Sequence, residues 1–580
     1  MKLSDYVVNF LVAEGVTHVF EVAGGAISHL LDSCYDRKDI KVISTHHEQA
    51  AAFAAEGYAR ASCGIGVAMA TSGPGATNLI TGIGSCFFDS VPALFITGQV
   101  NIYEFKNKKA VRQAGFQETD IVSIVKPIVK KAVMVKNPKM IKYYLEEAVF
   151  LAKAGRPGPV LIDIPLNIQR ADINPKRLKS FVKRTSVKMV KDKEIEKIAG
   201  MIKRAKRPVV LAGGGVRLAN AQEELNRLVD RTGVPVVSTL LGKDAFPNDS
   251  SNYAGMIGTY GNRFANLTIA NADLLLILGA RLDTRQTGTK PKTFAREATI
   301  IHVDIDPHEL NNKVTADYPI QCDIKYFLSK LNPFLKGFDR SSIHLWKNSV
   351  NLYKDKFKLK DDQNKIRINP NVLMQKISKH LPAGTIVCAD VGQHQMWAAQ
   401  SLKLGKSLRF ITQGGMGAMG SALSLGIGAS FANPGKMVLV ISGDGGFQLN
   451  IQELQTLYYY KLPIKIILLN NQCYGMVRQF QQQYFNSRFQ STVVGYSCPD
   501  FQEVVRAYRI DHLKLSGAGR IESHLKKIFS DRKPLFVEIE IDPKYTVDPK
   551  LSVDRPIEDQ EPLLPREELR SLMIVKLYEK

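Results

Sequence analysis

The sequence has no long apolar run and no cysteine spacing typical of a metal site. Its longest apolar runs, such as 91–97 and 274–280, have the length of strands, whereas a helix that spans a membrane needs about 20 apolar residues. The seven cysteines are scattered, odd in number and without a CxxC pair. These features argue against a membrane protein, a disulfide framework and a zinc site, and they favour a reducing cytoplasm. The first residues follow helical spacing, so we expect a helix there and not a signal peptide.

A nucleic-acid-binding motif is also lacking, although the net charge is +23. The basic residues concentrate in 103–142, 176–207 and 347–367, which resemble surface helices and linkers. No helix-turn-helix, zinc-finger or RNA-binding pattern accompanies them. A solvated surface is therefore favoured over a polyanion site, and we predict no nucleic-acid partner. A milder role of this charge is the steering of small anionic substrates.

With 580 residues the chain exceeds a single core, and about three domains are expected from its length. Three segments alternate short β-branched runs with helical patterns, which is typical of α/β domains with parallel, doubly wound sheets. We predict these domains at 1–175, 190–335 and 368–545, joined by charged linkers, with a proline-containing C-terminal arm at 546–580. Examples of the expected strands are VISTHH, PALFITG, PVVLAGGG, ADLLLILGAR, MVLVISGDGG and IKIILLNN.

One predicted strand ends in an acid between glycines, in the segment ISGDGGFQLN at 441–450. A glycine-rich turn into a helix N-terminus suits a phosphate, but Asp444 would repel phosphate unless a cation lay between them. Magnesium is the natural mediator, because it shares oxygen ligands with substrate phosphates. One βαβ crossover later the chain reaches Asn470-Asn471, which therefore returns to the same sheet edge. A tight turn with an asparagine-capped strand is the structural alternative.

This GDG…NN arrangement resembles the diphosphate–magnesium motif of thiamine diphosphate (ThDP) enzymes. Within that group the chain is similar to the acetohydroxyacid synthase (acetolactate synthase) large-subunit family over residues 1 to about 545. The resemblance implies that Asp444, Asn471 and the backbone carbonyl of Cys473 hold Mg²⁺. It also implies ThDP contacts in TSGPGATNL (71–79), DVGQHQMWAAQ (390–400) and QGGMGAMG (413–420). The candidate ThDP residues are Glu48, Pro74, Asn78, Val391, Gly392, Gln393, His394, Gly417, Met419, Gly443, Asp444, Gly445, Gly446, Asn471, Gly475 and Met476.

The segment THHEQAAAFAAEGYAR (45–60) matches the catalytic glutamate motif of the family, and Glu48 is the matching residue. Read alone, Glu48 is an acid in the first turn of a helix that complements the dipole. With the other motifs in the chain, the catalytic interpretation is favoured. His47 is as compatible with a hydrogen-bonded structural role as with a functional one. Gln117 matches a family residue near the substrate, and an ordinary surface amide is its alternative.

The second segment resembles the FAD-binding domain of the family in LAGGGVR, STLLG, GARLDTR, HVDID and CDI. Its glycines suit close packing against a dinucleotide, although they do not form a clean GxGxxG motif. The flavin implied here is structural unless the protein is an oxidase, because carboligation transfers no net electrons. The candidate FAD residues are Arg156, Gly213, Gly214, Gly215, Thr239, Leu240, Gly258, Gly279, Arg281, Asp304 and Asp323.

The pocket for the second substrate departs from the family pattern. A tryptophan is replaced by Phe480, a methionine and histidine by Thr259 and Tyr260, and a lysine by Leu166, whereas Arg285 is retained. Phe116 matches a family residue near the substrate, so the resemblance implies that it also belongs to this pocket. A larger and less cationic site favours a bulky acceptor, and the C-terminal arm resembles synthase-like proteins of polysaccharide pathways.

The leading hypothesis is therefore a carboligase that decarboxylates pyruvate and transfers the acetyl unit to a nucleotide-linked keto-deoxysugar. The alternatives are an acetolactate synthase that uses a second 2-keto acid, which retained Arg285 supports, and a flavin-dependent pyruvate oxidase. A non-catalytic anion-binding protein is the alternative outside these enzymes. The resemblance implies a homodimer or tetramer whose active site lies between subunits.

Overall fold

A computed structural model describes residues 1–106, 110–183, 188–359 and 367–578. The charged segments predicted as linkers include 184–187 and 360–366, which lie outside the described residues. Three six-stranded sheets occupy 18–165, 208–321 and 386–540, and every strand pairing in them is parallel. Three doubly wound α/β units were predicted, and these sheets confirm that fold class.

The first unit forms because short β-branched strands alternate with amphipathic or alanine-rich helices. Its strands are β1 His18–Glu21, β2 Lys41–Ser44, β3 Gly66–Ala70, β4 Ala93–Gln99, β5 Lys131–Met134 and β6 Pro159–Pro165. Its helices are α1 Leu3–Ala13, α2 Ser28–Cys34, α3 Glu48–Ser62, α4 Pro74–Asn78, α5 Ile80–Phe88, α6 Ile121–Val125, α7 Ile141–Lys153 and α8 Leu166–Gln169. In the strand order β2-β1-β3-β4-β6-β5, the chain adds β2 on one side of β1 and β3 on the other, so the switch point lies between β1 and β3. The predicted N-terminal helix is confirmed as α1.

The second unit has a similar parallel sheet in the order β12-β11-β10-β7-β8-β9. Its strands are β7 Pro208–Ala212, β8 Val236–Ser238, β9 Tyr253–Met256, β10 Leu274–Leu278, β11 Thr299–Asp304 and β12 Tyr318–Gln321. Its helices are α9 Asp192–Arg204, α10 Gly214–Leu218, α11 Gln222–Thr232, α12 Arg263–Ala270, α13 Thr284–Thr287, α14 Ile324–Phe334 and α15 His344–Lys356. The order reverses between β7 and β10, and such a reversal opens a crevice at the carboxyl ends of the strands.

The third unit repeats this plan in the order β14-β13-β15-β16-β18-β17, with the reversal between β13 and β15. Its strands are β13 Ile386–Ala389, β14 Arg409–Thr412, β15 Val438–Gly443, β16 Ile464–Asn470, β17 His512–Leu515 and β18 Leu535–Glu540. Its helices are α16 Pro370–His380, α17 Gln393–Ser401, α18 Ala422–Ala432, α19 Asp444–Phe447, α20 Leu454–Tyr460, α21 Gly475–Tyr484, α22 Phe501–Ala507 and α23 Ile521–Ile528.

The C-terminal arm packs on the second unit. It contains β19 Lys550–Leu551, β20 Gln560–Glu561 and α24 Arg566–Leu572. Arg263 donates to the carbonyl oxygens of Gln560 and Pro562 at 2.9 and 2.7 Å, and Tyr353 donates to that of Leu572 at 2.9 Å. The apolar side chains of α24 enter the core formed by α12 and α15. The arm is therefore part of the folded body.

Candidate active site

The third sheet brings the acid and the asparagine of the GDG…NN pattern together. Strands β15 and β16 are adjacent and parallel, with Gly443 opposite Leu469, so Asp444 and Asn471 leave the same sheet edge. The amide oxygen of Asn471 lies 3.2 Å from Oδ1 of Asp444 and 3.0 Å from the backbone oxygen of Cys473. The βαβ crossover predicted from the spacing is thus confirmed.

A hydrogen bond fixes the orientation of the Asn471 amide. Its Nδ2 donates to Oε1 of Gln393 at 2.9 Å, and Nε2 of Gln393 in turn donates to the carbonyl of Tyr545 at 3.2 Å. Turning the Asn471 amide by 180° would let it donate to Asp444 and Cys473 but would place two oxygens against each other at Gln393. In the orientation that keeps the hydrogen bond to Gln393, the oxygens of Asp444, Asn471 and Cys473 converge. Hard divalent cations such as Mg²⁺ take oxygen ligands of this kind.

Burial raises the pKa of the Asp444 carboxyl to about 6, although a 2.6 Å hydrogen bond from the Tyr496 hydroxyl opposes this shift. No group of three or more His, Cys, Asp or Glu residues that could hold a metal occurs in the described part of the chain. A cation at this edge would therefore depend on one carboxylate, an amide and a backbone oxygen. Magnesium sites that share their ion with phosphates commonly have only one or two carboxylates.

His394 lies beneath this turn, between the ends of β13 and β15. A Cβ on Gly443 would lie 2.8 Å from its Nδ1, so a larger residue there would displace the ring. Burial lowers the pKa of His394 to about 3, so the imidazole is neutral. Its Nε2 is buried and has no hydrogen-bond partner in the described structure. An orphaned ring nitrogen and a glycine turn at a strand switch fit a bound polar group.

Glu48 is placed by the end of β2, as the first residue of α3. Its side chain is only 9% exposed, and Oε2 accepts a 2.9 Å hydrogen bond from Nδ2 of Asn78 in α4, the helix that Pro74 begins. His47 caps α3, because its Nδ1 accepts from the backbone N–H of Gln49 at 3.0 Å. The hydrogen-bonded structural role of His47 is therefore the one that this geometry supports.

The start of α3 is tied to the segment that follows the GDG turn. Nδ2 of Asn450 donates to Oε1 of Gln49 at 3.1 Å, and the amide of His46 donates to Glu453 at 2.9 Å. No hydrogen bond or ion pair among the described residues joins Glu48 to the Asp444 cluster. Gln117 lies in a loop beside Gly73, on the first unit. Within one chain, the predicted catalytic and metal-binding groups thus form two separate clusters.

The remaining candidates on the third unit flank the Asp444 cluster. Val391 and Gly392 follow β13, Gly445 and Gly446 begin α19, and Gly475 and Met476 begin α21. Gly417 and Met419 lie in the loop before α18, where Met419 is partly exposed.

Sequence analysis missed two polar residues of this cluster. Asp390 directly follows β13 and accepts hydrogen bonds from the backbone of Gly420 and Ser421 and from the hydroxyl of Ser442, at 3.0 to 3.2 Å. The hydroxyl of Tyr496 contacts Asp444. The position of Asp390 at a strand end was an available signal, whereas Tyr496 comes from an irregular loop and no local pattern indicates it.

The reversal of the second sheet contains a cavity of about 260 Å³. The backbone segments around Gly213 and Gly279 lie close together here. The amide of Gly213 donates to the carbonyl of Leu278 at 2.9 Å, and a Cβ at Gly213 would lie 2.0 Å from the carbonyl oxygen of Gly279. Of the candidate FAD residues, the cavity is lined by Arg156, Gly214, Gly215, Thr239, Gly279, Arg281, Asp304 and Asp323. Leu240 lines an adjoining cavity, and Gly258 packs against the backbone of Arg285. The first cavity lies at the switch point of a parallel sheet, which is where such sheets bind ligands.

Four of the six acceptor-pocket candidates gather at the junction of the second and third units. The amide of Thr259 donates to the carbonyl of Arg285 at 2.7 Å. Tyr260 and Arg285 line one small cavity. Phe480 packs on Tyr484, with the ring centroids 4.7 Å apart, and both rings face Lys550, whose neighbour Leu551 donates to the carbonyl of Thr259.

The other two candidates, Phe116 and Leu166, lie on the first unit. Phe116 is 85% exposed, and Leu166 begins α8. No hydrogen bond, ion pair or ring contact of the described residues connects either of them with the Arg285 group.

Comparison with known proteins identifies the class to which this fold and site belong. Residues 1–124 match the thiamine pyrophosphate enzyme N-terminal TPP binding domain, 195–331 the central domain, and 390–539 the C-terminal TPP binding domain. The chain is therefore a thiamine diphosphate-dependent enzyme.

Comparison with individual curated proteins shows which family of this class the chain belongs to. The chain is 37% identical to the acetolactate synthase large subunit of Cyanidium caldarium, covering 92% of each protein. It is also 37% identical to the acetolactate synthase isozyme 2 large subunit of Escherichia coli, over 93% of this chain and 96% of that one. A probable acetolactate synthase large subunit from Methanocaldococcus jannaschii is again 37% identical, over 94% of this chain. The chain belongs to the acetolactate synthase large-subunit family and is a carboligase of the transferase class.

None of the described helices is both long and apolar enough to cross a lipid bilayer.

Proposed function

We propose that the protein is an acetolactate synthase, which decarboxylates pyruvate and joins the two-carbon unit to a second 2-keto acid. The observation that carries this proposal is Arg285, whose exposed guanidinium lines the acceptor cavity without an acidic partner among the described residues. An unpaired guanidinium fits a carboxylate through a bidentate pair of hydrogen bonds. The acetolactate synthase names of the relatives agree with this acceptor.

The cofactor would be held from both sides of a subunit boundary. Asp444, Asn471 and the carbonyl of Cys473 would bind Mg²⁺ and, through it, the diphosphate, while Glu48 would share a proton with the aminopyrimidine ring. When bound, thiamine diphosphate supplies the carbon nucleophile that no amino acid provides. Because Glu48 and Asp444 have no mutual contact within one chain, we propose a homodimer or tetramer in which each site combines the first unit of one subunit with the third unit of another. The exposed Phe116 and the half-buried Gln117 would then reach substrate across this boundary.

FAD is proposed as a second cofactor in the 260 Å³ cavity of the second unit. Arg281 lines this cavity, and its Nη2 lies 3.1 Å from Asp283. Replacing Arg281 with Gln should weaken FAD binding by about tenfold or more, because a hydrogen bond to a charged group contributes about 1.5–3 kcal/mol. Flavin titration followed by absorbance would measure this change. The exposed Arg227→Gln on α11 is the matched control, and equal affinity of both variants would reject the proposed contact.

The second candidate function is transfer to a keto-deoxysugar. It is favoured by the small Thr259, by the 45% exposed Phe480 and by Leu166 in place of a cation. Each change leaves more apolar space or removes a charge, which suits an acceptor that is bulky and lacks a carboxylate.

Product analysis separates these two functions. The enzyme with ThDP, Mg²⁺, FAD and pyruvate should form mainly acetolactate, and its rate should be unaffected by a nucleotide-linked 4-keto-deoxysugar. Formation of a sugar adduct in preference to acetolactate would favour the second candidate, and oxygen consumption with pyruvate would favour the oxidase alternative. Phe480→Trp should raise preference for 2-ketobutyrate by about tenfold, since one added apolar group in a pocket is worth ~1–3 kcal/mol. The exposed Tyr459→Trp is the control for an added indole.

A further inference from the structure

A second large cavity lies away from the candidate active site, where the second unit, the third unit and the C-terminal arm meet. Its volume is about 600 Å³, within the ~300–1,000 Å³ range of small-molecule sites. Residues of β9, α12, α15, α16, α17 and the arm form its walls. None of the candidate ThDP, FAD or acceptor residues lines it.

Lys243 is buried in the wall of this cavity and is only 3% exposed. No hydrogen bond or ion pair to its ammonium group occurs within the described residues, where its one contact is the Tyr253 ring, with the centroid 5.4 Å away. Burial lowers the pKa of Lys243 to about 7. A ring face contributes at most ~2 kcal/mol to a cation, and an isolated buried charge costs far more unless it is paired. The ammonium therefore has no counter-charge among the residues that the structure describes.

The other charges around the cavity increase this imbalance. Burial lowers the pKa of Lys354, Asp355 opposes this shift, and the nearby Lys403 adds to it. Arg263 donates to two carbonyl oxygens of the arm, and the acids Asp559, Glu568 and Asp548 act on its charge in part. Among the described residues, the lining contains the cations Lys243, Arg263, Lys354, Lys358 and Lys403 and the acids Asp249, Asp355 and Asp548.

From this geometry we propose that the cavity binds a small anion with a phosphate or carboxylate head, which pairs with Lys243. Lys354 and Lys403 act at longer range by raising the local positive potential. The volume admits a sugar-phosphate-sized molecule and not only an inorganic ion.

Helix α17 connects this cavity with the candidate active site. Helix α17 begins at Gln393, beside Asn471, and its last turn forms part of the cavity wall. In that last turn, Nε2 of Gln400 donates to the carbonyl of Tyr260 at 3.0 Å. The cavity is thus separate from the acceptor pocket but shares a rigid element with it.

Calorimetric titration of the holoenzyme tests this proposal. ThDP, Mg²⁺ and FAD are kept saturating so that the cofactor phosphate sites are filled, and the probes are ribose 5-phosphate, inorganic phosphate, gluconate and neutral ribose. We expect binding of ribose 5-phosphate or gluconate, no binding of ribose, and at least a tenfold loss of affinity in Lys243→Met. Ribose 5-phosphate and inorganic phosphate identify a phosphate head, and gluconate identifies a carboxylate head.

Two further measurements keep the result interpretable. Lys379→Met, which removes an exposed lysine of α16, should bind the probes as the wild type does. Lys243→Met should melt at least as high as the wild type without anion, because it removes a buried unpaired charge. Binding that is equal in wild type and Lys243→Met, or absent from the wild type for every anion, would overturn the proposal.

Discussion

Replacing Glu48 with Gln should reduce release of CO₂ from pyruvate by about 10²–10⁴-fold, the usual range for loss of a group that transfers a proton. The amide keeps the size of the side chain and its hydrogen-bonding capacity but cannot exchange a proton. Glu48 is buried and held by Asn78, so Gln should occupy the same place without disturbing α3. ThDP affinity should change little, because the Asp444 cluster is untouched.

The measurement is CO₂ release under saturating ThDP and Mg²⁺, together with a fluorescence titration of ThDP. Glu223→Gln on the exposed face of α11 is the matched control and should retain full activity. A Glu48→Gln enzyme with wild-type turnover would show that another group carries the proton. An inactive variant that has also lost ThDP would assign Glu48 to binding alone.

Replacing Asp444 with Ala should have the opposite effect to the Glu48 variant, because it should lower the affinity for ThDP. Asp444 is the one carboxylate of the oxygen cluster formed with Asn471 and the carbonyl of Cys473. Loss of an outer-sphere partner of a bound metal already costs about 10–100-fold in affinity, so loss of the carboxylate itself should cost ThDP affinity about 100-fold or more.

ThDP titrations with and without EDTA measure this effect. Chelation should release ThDP from the wild type and make little further difference in Asp444→Ala. Asp444→Asn should retain part of the affinity, since an amide oxygen remains, and the exposed Asp511→Ala is the control. Unchanged, magnesium-dependent ThDP binding in Asp444→Ala would remove Asp444 from the metal site.

Much of the fold follows from hydrophobic runs. Interior strands such as β10 and β16 consist almost entirely of Leu and Ile, because both faces of a parallel sheet are covered. The edge strand β2 was predicted, but the other edge strands were missed, as was the short interior strand β1. β5, β12, β14 and β17 mix polar with apolar residues, and β9 is a short run that contains a glycine, so their local pattern does not distinguish them from loops.

The oxygen cluster of Asp444, Asn471 and Cys473 was predictable because its residues follow two neighbouring strands at a fixed crossover distance. The candidate acceptor pocket was harder to predict from the sequence. Tyr260, Arg285 and Phe480 come from separate elements, and their proximity depends on how two units pack together. Lys243 gives no local signal at all. Only the packing of the arm and α17 around it makes its charge buried and unpaired.

The arm also has a consequence for how substrate choice can change. The backbone of Leu551 donates to the carbonyl of Thr259 at 2.7 Å, and the ammonium of Lys550 faces the rings of Phe480 and Tyr484 at 5.7 and 5.4 Å. The C-terminal arm thus contacts the segments that carry three of the acceptor-pocket candidates. Exchanging this arm between relatives would change the selectivity for the second substrate, while every residue that contacts the coenzyme stays the same.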